Sequence, residues 1–439
     1  MSSLFASRST PRQDPSVLGV QTVPTVGRFK PATPIIFAFC ALGFGAGASA
    51  EQRIPHNPCG PGIFVPARHA NDPVETWFTA RSYRPGTTAA LWVRAHPSRA
   101  RVRIYQLIGS HWWTEVAPAS NVELHGTTQR LALRIGDWPT GLYFADVSTE
   151  DGSGSAPFIV RPQHAGENPV AVVLPTNTWA AYNFRDGDRN GYGDTWYADP
   201  RVHTVVLARA FPKTGLPQHL GGFVDWLAGQ DLKADFYSDE DLDAIPNGDR
   251  LASLYNLVVF SGHEEYVTQH VFSTVERYRN LGGNLAFLSA NNFFARVRIR
   301  GGRMMCLGHF RDFGKPEAQL VGVQYVDWSH RRYRNRPYLV RSISAAPWLF
   351  NGTGLRLGDT FGFSYGVEID AVAPSSPPST RVIAEIPSIF GPGKTAQMTY
   401  YRTQRGAKVF AAGAMNFDAP QSGVTDRMLR NLWDYLARP

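Results

Sequence analysis

The chain has 439 residues, 43% of them apolar and 18% charged, which excludes a largely disordered chain and leaves room for two domains or one large one. The formal net charge is +8; residues 1–50 hold Arg8, Arg12, Arg28 and Lys30 against Asp14, so roughly +5 remains beyond them. No block of Lys and Arg and no nucleic-acid motif accompanies that charge, so it reads as a mildly basic surface and no nucleic-acid partner is expected.

Residues 1–50 read as a leader. Arg28 and Lys30 precede the apolar run Ile35 to Phe44, and Ala48-Ser49-Ala50 offers a small-residue cleavage site. The run is short for a membrane span, so no stable span is expected once the leader is removed. The chain is therefore expected to be exported, periplasmic or secreted. Cys40 leaves with the leader. Cys59 and Cys306 remain, and their spacing does not decide whether they pair.

Residues 51–162 read as a small all-β sandwich. The runs Thr88–Ala95, Ala100–Leu107, Gln129–Ile135 and Gly141–Val147 carry period-2 character, with turn residues between them. Arg161-Pro162 and the polar stretch to Pro169 look like a linker.

Residues 163–439 change character. Val170–Pro175, Asn256–Phe260 and Asn284–Ser289 are short continuous apolar runs, as in strands buried on both faces. Between them, Phe223–Leu227 and Val267–Leu281 have helical spacing, and Gly282-Gly283 ends the second helix. Ala234–Tyr237, Arg381–Ile386, Ala396–Tyr401 and Lys408–Ala412 are further strands, and a closing helix runs from Thr425 to Ala437. The alternation predicts an α/β domain with a mostly parallel sheet and helices on both faces.

In such sheets ligands collect beyond the carboxyl ends of the strands. Three apolar runs lead directly into polar segments: Thr176-Asn-Thr-Trp-Ala-Ala-Tyr-Asn183, Ser261-Gly-His-Glu-Glu-Tyr266 and Ala290-Asn-Asn292. Parallel neighbours would bring them to one rim. His263-Glu264-Glu265 is the sharpest of these elements, since two carboxylates beside an imidazole repel unless a cation offsets them. The plainer alternative is that one carboxylate faces solvent or favours a helix start. No nucleophile-elbow pattern is present, which argues against covalent acyl transfer.

A second acidic segment, Asp186, Asp188, Asn190 and Asp194, resembles the start of a calcium loop, but Tyr197 stands where its bidentate Glu belongs. A surface turn is the favoured reading there. His203, His219, His270 and His309 lack ligand spacing and read as surface or packing residues. The Arg-rich run from Ser329 to Arg336 reads as a solvated loop.

The same segments resemble the C-terminal region of the N,N-dimethylformamidase large (beta) subunit family. The matching stretches are Leu174-Pro-Thr-Asn-Thr-Trp179 with Ala181-Tyr-Asn183, Gly262-His-Glu-Glu-Tyr266, Gly282-Gly-Asn-Leu-Ala-Phe287 with Asn291, and Gly366-Val-Glu368 with Asp370. The resemblance runs from about Gly141 to the C-terminus. It implies a glutamine-amidotransferase-like α/β fold, and a mononuclear iron, Fe(III), held by two tyrosinates and a glutamate. Carried over, Tyr182 and Glu265 are ligands, Tyr143 is the second tyrosine, and His263, Asn291 and Glu368 surround the metal. The implied reaction is metal-assisted hydrolysis of a small amide, with His263, Asn291 and Glu368 as the catalytic residues: a surrounding carboxylate or His263 moves protons, and Asn291 donates to the developing oxyanion. The chain departs from the family pattern at Glu264, where Asp is usual, at Val267, where an aromatic is usual, and after Asn183. The other class left open is a non-catalytic secreted protein that binds a carbohydrate or cell-surface ligand. Self-association is open as well.

Overall fold

The computed structural model describes residues 57–67, 72–108, 113–212 and 222–438, without the side chains of residues 113 and 330–332. The leader, Cys40 and His219 lie outside the described residues. In chain order the first strands are β1 (Glu75–Phe78), β2 (Ser82–Tyr83), β3 (Thr88–Arg94), β4 (Ser98–Leu107), β5 (Trp113–Leu124), β6 (Thr128–Arg134), β7 (Gly141–Thr149) and β8 (Gly152–Val160). They form a three-stranded sheet, β1-β3-β6, and a five-stranded sheet, β2-β8-β7-β4-β5. Alternate residues turn inward, and Phe78, Leu91, Val93, Val102, Ile104, Val147 and Phe158 share one core between the sheets.

The second half begins with β9 (Val170–Leu174), α1 (Thr176–Ala181), β10 (Thr204–Val206), α2 (Gly222–Ala228), β11 (Asp235–Ser238), α3 (Asp239–Asp243), α4 (Gly248–Ala252), β12 (Leu257–Phe260), β13 (Tyr266–Thr268), α5 (Gln269–Asn280) and β14 (Asn284–Phe287). It continues with β15 (Ala295–Arg300), β16 (Arg303–His309), α6 (Ala318–Val321), β17 (Gln324–Asn335), β18 (Tyr338–Val340), β19 (Thr360–Phe361), β20 (Ser364–Ala371), β21 (Arg381–Ile386), β22 (Ala396–Arg402), β23 (Lys408–Ala411), β24 (Ala414–Met415) and α7 (Gly423–Leu436).

A nine-stranded sheet runs β11-β9-β12-β14-β23-β22-β21-β18-β19. Its first five strands pair in parallel, and from β22 onward the pairing is antiparallel. Every residue of β9, β12 and β14 is buried, which is why these runs show no alternation. Full burial of each Val or Leu there stabilises the fold by roughly 1.5–3 kcal/mol. The helix expected from Val267 starts at Gln269 instead. Thr268 caps it, its hydroxyl accepting the Val271 N–H at 3.1 Å, and residues 266–268 join a strand.

The expected α/β class with a glutamine-amidotransferase-like fold and helices on both faces is overturned. Strands account for 38% of the described residues and helices for 16%, in several mixed sheets. The physical reason lies in the connections. Among the described residues, the helices other than α5 and α7 have only four to seven residues, so each covers little of a sheet. Much of the rest of the chain forms two further sheets, β10-β16-β15-β13 and β17-β20-β24. The run from Ser329, expected as a solvated loop, lies within β17 as far as Asn335.

Candidate metal centre

The site lies beyond the carboxyl ends of β9, β12 and β14. Pro175 stops β9, and the six residues of α1 are all buried, ending at Tyr182. After β12, residues 261–265 turn back toward α1: the Glu265 N–H donates to Thr178 Oγ1 at 3.1 Å. The Glu264 N–H donates to Asn292 Oδ1 at 3.1 Å, and the Glu264 and Glu265 carbonyls accept from the N–H groups of Phe293 and Ala295. The backbone of residues 264 and 265 is thus pinned both to α1 and to the segment after β14.

Glu265 is the hub. Tyr182 Oη donates to Glu265 Oε2 at 3.0 Å, and Tyr197 Oη reaches Oε1 at 3.2 Å and Oε2 at 3.4 Å. The Tyr182 and Tyr197 rings stack with centroids 4.3 Å apart, and the Tyr197 hydroxyl also meets that of Tyr266. His263 Nε2 lies 3.1 Å from Glu368 Oε2 and 3.4 Å from Glu265 Oε2. Asn291 Nδ2 donates to Glu368 Oε2 at 2.7 Å, and the Asn291 N–H donates to both oxygens of Asp370 at 2.8 and 2.9 Å.

Three positions here carry backbone strain. Asn291, Phe293 and Val367 have φ of 54°, 59° and 63°, a region costly for non-glycine residues and most of all for a β-branched one. The pairing of β20 with β24 shifts register between Gly366 and Ile369, a bulge that turns Glu368 toward His263.

The electrostatics are those of a crowded, dry site. Burial pushes Glu265 up to about 7, with Glu368 adding to the shift, and pushes Asp370 up to about 8. Burial alone would lower His263, but the charges of Glu368, Glu265 and Asp370 outweigh it and hold the imidazole up at about 9. Tyr182, Tyr197 and Tyr266 are all raised well above the phenol range, by burial first and then by the Glu265 carboxylate. Glu264 points elsewhere. It is wholly buried beside Asp239, which burial lifts to about 6, so that pair shares a proton rather than carrying two charges. Neither carboxylate of the His-Glu-Glu run faces solvent.

Of the residues named from the sequence, Tyr182, His263, Glu265, Asn291 and Glu368 are brought together. Tyr143 is not. Its hydroxyl donates to the Pro139 carbonyl at 2.7 Å, its ring stacks on Trp138, and it belongs to the sandwich core. Tyr197 stands where the second tyrosine was expected, and sequence reasoning passed over it. The signal available was its place just after the acidic loop. That loop is fixed from the N-terminal side. Cys59 and Cys306 form a disulfide, the Val65 N–H donates to Ala198 O at 2.8 Å, and the Ala67 N–H donates to Gly191 O at 2.7 Å. Gly60 is required in this strap, since a Cβ there would lie 2.5 Å from the Trp196 carbonyl oxygen.

The donors suit a hard cation. Two phenols and a carboxylate converge, and two buried polar atoms beside them, His263 Nε2 and Asn291 Oδ1, have no partner in hydrogen-bonding geometry. At the acidic loop, Asp186, Asp188 and Asp194 place oxygens within 4.8 Å of one another. These carboxylates already accept the N–H groups of Asn190, Gly191 and Gly187, and Asn190 Nδ2 donates to Asp188. His270 and His309 are engaged elsewhere, with Ile245 O and Asp312.

Among curated proteins none matches the chain. Solved structures give weak likenesses. A superoxide reductase (neelaredoxin) from Ignicoccus hospitalis is 8% identical, with a TM-score of 0.16, over 21% of this chain and 81% of that one. A carbohydrate acetylesterase from Xanthomonas citri is 9% identical, with a TM-score of 0.16, over 52% of this chain and 61% of that one. A cycloisomaltooligosaccharide glucanotransferase from Paenibacillus sp. is 8% identical, with a TM-score of 0.18, over 78% and 69%. At such scores these likenesses carry no conclusion about fold or function. The family model described as N,N-dimethylformamidase beta subunit-like, C-terminal, matches residues 115–420, well over half the chain and every residue of the site just described. With those residues matched, the chain belongs to the N,N-dimethylformamidase beta subunit-like family.

Proposed function

We propose that the protein is an exported hydrolase of the C–N bond of small amides, with a ferric ion held by Tyr182, Tyr197 and Glu265. The observation that carries this reading is the convergence of two phenol oxygens on one buried carboxylate. Once deprotonated these oxygens are hard anionic donors, which favours ferric iron over zinc. When bound, the ion supplies Lewis-acid polarisation of the amide carbonyl and lowers the pKa of water.

The residues around it divide the proton work. Glu368 is held by Asn291 Nδ2 and faces His263, so it is placed to take the proton of the attacking water. His263, kept protonated by its carboxylate neighbours, is the donor to the departing amine nitrogen. Asn291 Nδ2 has a second N–H beyond the one given to Glu368, and it serves the carbonyl oxygen as charge develops there. The balance is that of hydrolysis: a C–O bond forms, the C–N bond breaks, and one proton passes from water to the amine.

Export rests on the leader features and is supported by the Cys59–Cys306 disulfide, which persists in oxidising compartments. Among the described residues no helix is long and apolar enough to cross a membrane. The test is the purified protein itself. Stoichiometric iron, a tyrosinate-to-iron visible band and release of dimethylamine from N,N-dimethylformamide support the reading. Colourless, folded, metal-free protein without amidase activity on formamides would sink it.

A further inference from the structure

Three phenols meet beside Glu265, and only two of them serve as donors to the ion. The third, Tyr266, opens β13 and is wholly buried. Its backbone is fixed on two sides. β13 pairs it with Ala295, and Asn177 Nδ2 donates to its carbonyl at 3.1 Å. Its ring packs against the indole of Trp196, also wholly buried, with centroids 5.5 Å apart.

The protons along this row have one consistent order. An indole N–H can only donate, and Trp196 Nε1 donates to Tyr266 Oη at 3.4 Å. Tyr266 Oη in turn meets Tyr197 Oη, whose own proton is directed at Glu265 Oε1, 3.2 Å away. The single proton of Tyr266 is therefore the one that lies between the two phenols. It points at an oxygen that would bind the metal. Burial, followed by the Glu265 carboxylate, raises Tyr197 well above the usual phenol range, and the bond from Tyr266 pulls the other way. Once Tyr197 is a phenolate the same bond is charge-assisted, which roughly doubles its strength.

We propose that Tyr266 is a positioning residue of the metal centre: its hydroxyl, oriented by the Trp196 indole, donates to Tyr197 Oη and stabilises that oxygen as a phenolate ligand. This deepens the amidase reading and rests on its ligand set. Tyr266 acts through Tyr197 and takes no part in proton transfer to the substrate.

The test loads ferric ion into the purified full chain, wild type and Y266F. It reads the position of the tyrosinate-to-iron band and the iron Kd against a competing chelator at one pH. A third protein carries 3-fluorotyrosine at position 266, which keeps the ring and hydroxyl but makes the phenol a stronger donor. It carries the test if Y266F does not fold. Y266F should weaken iron about 10–100-fold. It should also move the band to longer wavelength, because a phenolate without its donor gives up charge more easily. Fluorotyrosine should move the band to shorter wavelength. A folded variant whose band fails to shift in its stated direction overturns the proposal, even where iron binds more weakly, since loosened packing alone leaves the band in place. Wild type with neither iron nor band overturns the ligand set and this proposal together. A wild-type band that the substitutions leave unmoved overturns this proposal alone.

Discussion

Tyr197 and Glu265 stand 68 positions apart in the chain, and the hydroxyl of the first reaches Oε1 of the second at 3.2 Å. Nothing local makes this contact. It needs β12 to deliver Glu265 to the rim of the large sheet, and it needs the 57–67 strap to hold the loop that carries Tyr197.

The contact separates the two tyrosines that compete for the second ligand position. Y197F should abolish stoichiometric iron and the visible band, because one hard donor is lost. Y143F should keep both and lose only the bond to Pro139 O, about 1 kcal/mol of stability. Metal analysis, an absorption spectrum and a denaturant curve on each variant decide this. Retention of the band in Y197F with loss in Y143F would return the assignment to Tyr143.

The strap gives a second prediction. Cys59 and Cys306 are 247 residues apart in sequence, so their bond closes a very long loop in the unfolded chain. The double variant C59S/C306S should lose about 2–4 kcal/mol. Iron should also be removed faster by a chelator, because Tyr197 rides on the segment that the strap covers. Chelator kinetics identical to wild type would mean that the loop holds Tyr197 unaided.

Much of the site could be read in advance, because Tyr182, His263, Glu265 and Asn291 each come shortly after a run of buried apolar residues. A continuous apolar run marks a buried strand, and the polar residues next in the chain emerge at the strand's end. Tyr197 carried no such mark, since its loop has no periodicity and is placed by a disulfide whose pairing the spacing left open. The fold class failed for a related reason. The alternating run Ala295-Arg-Val-Arg-Ile-Arg300 and the Arg-rich stretch in β17 are edge or two-faced strands, whose polar residues look like loop composition. Attention to the continuous runs alone left a parallel α/β core and missed the two sheets that enclose the site.

Val367 supplies a third prediction. Its φ of 63° places a β-branched residue in the left-handed region, next to the carboxylate that faces His263. V367G should raise stability by about 1 kcal/mol from relief of strain, less the entropy glycine adds to the unfolded chain. It should lower kcat, since Glu368 is then held less firmly. A variant that gains stability with kcat unchanged would show the strain to be idle.

The last prediction concerns pH, and its sign differs between metal-free and iron-loaded protein. In the metal-free protein His263 is raised to about 9, Asp370 to about 8 and Glu265 to about 7, all above their values in an unfolded chain. The folded state therefore binds more protons than the unfolded state, and stability falls as pH rises. For the two carboxyls the contribution is complete below about pH 4 and is lost as pH passes about 7 and 8. For His263 it is complete below about pH 6.5 and is lost through about 9. D370N should flatten the profile between about pH 4 and 8, because an amide cannot lose the proton. Iron reverses the direction: its ligands bind deprotonated, so loading releases protons and affinity climbs with pH. Denaturant midpoints of the metal-free protein should fall from about pH 5 to 9 while the iron dissociation constant, measured against a competing chelator, falls as well. A metal-free midpoint that rises over this range would mean that the carboxylates around His263 are already charged and paired in the folded chain.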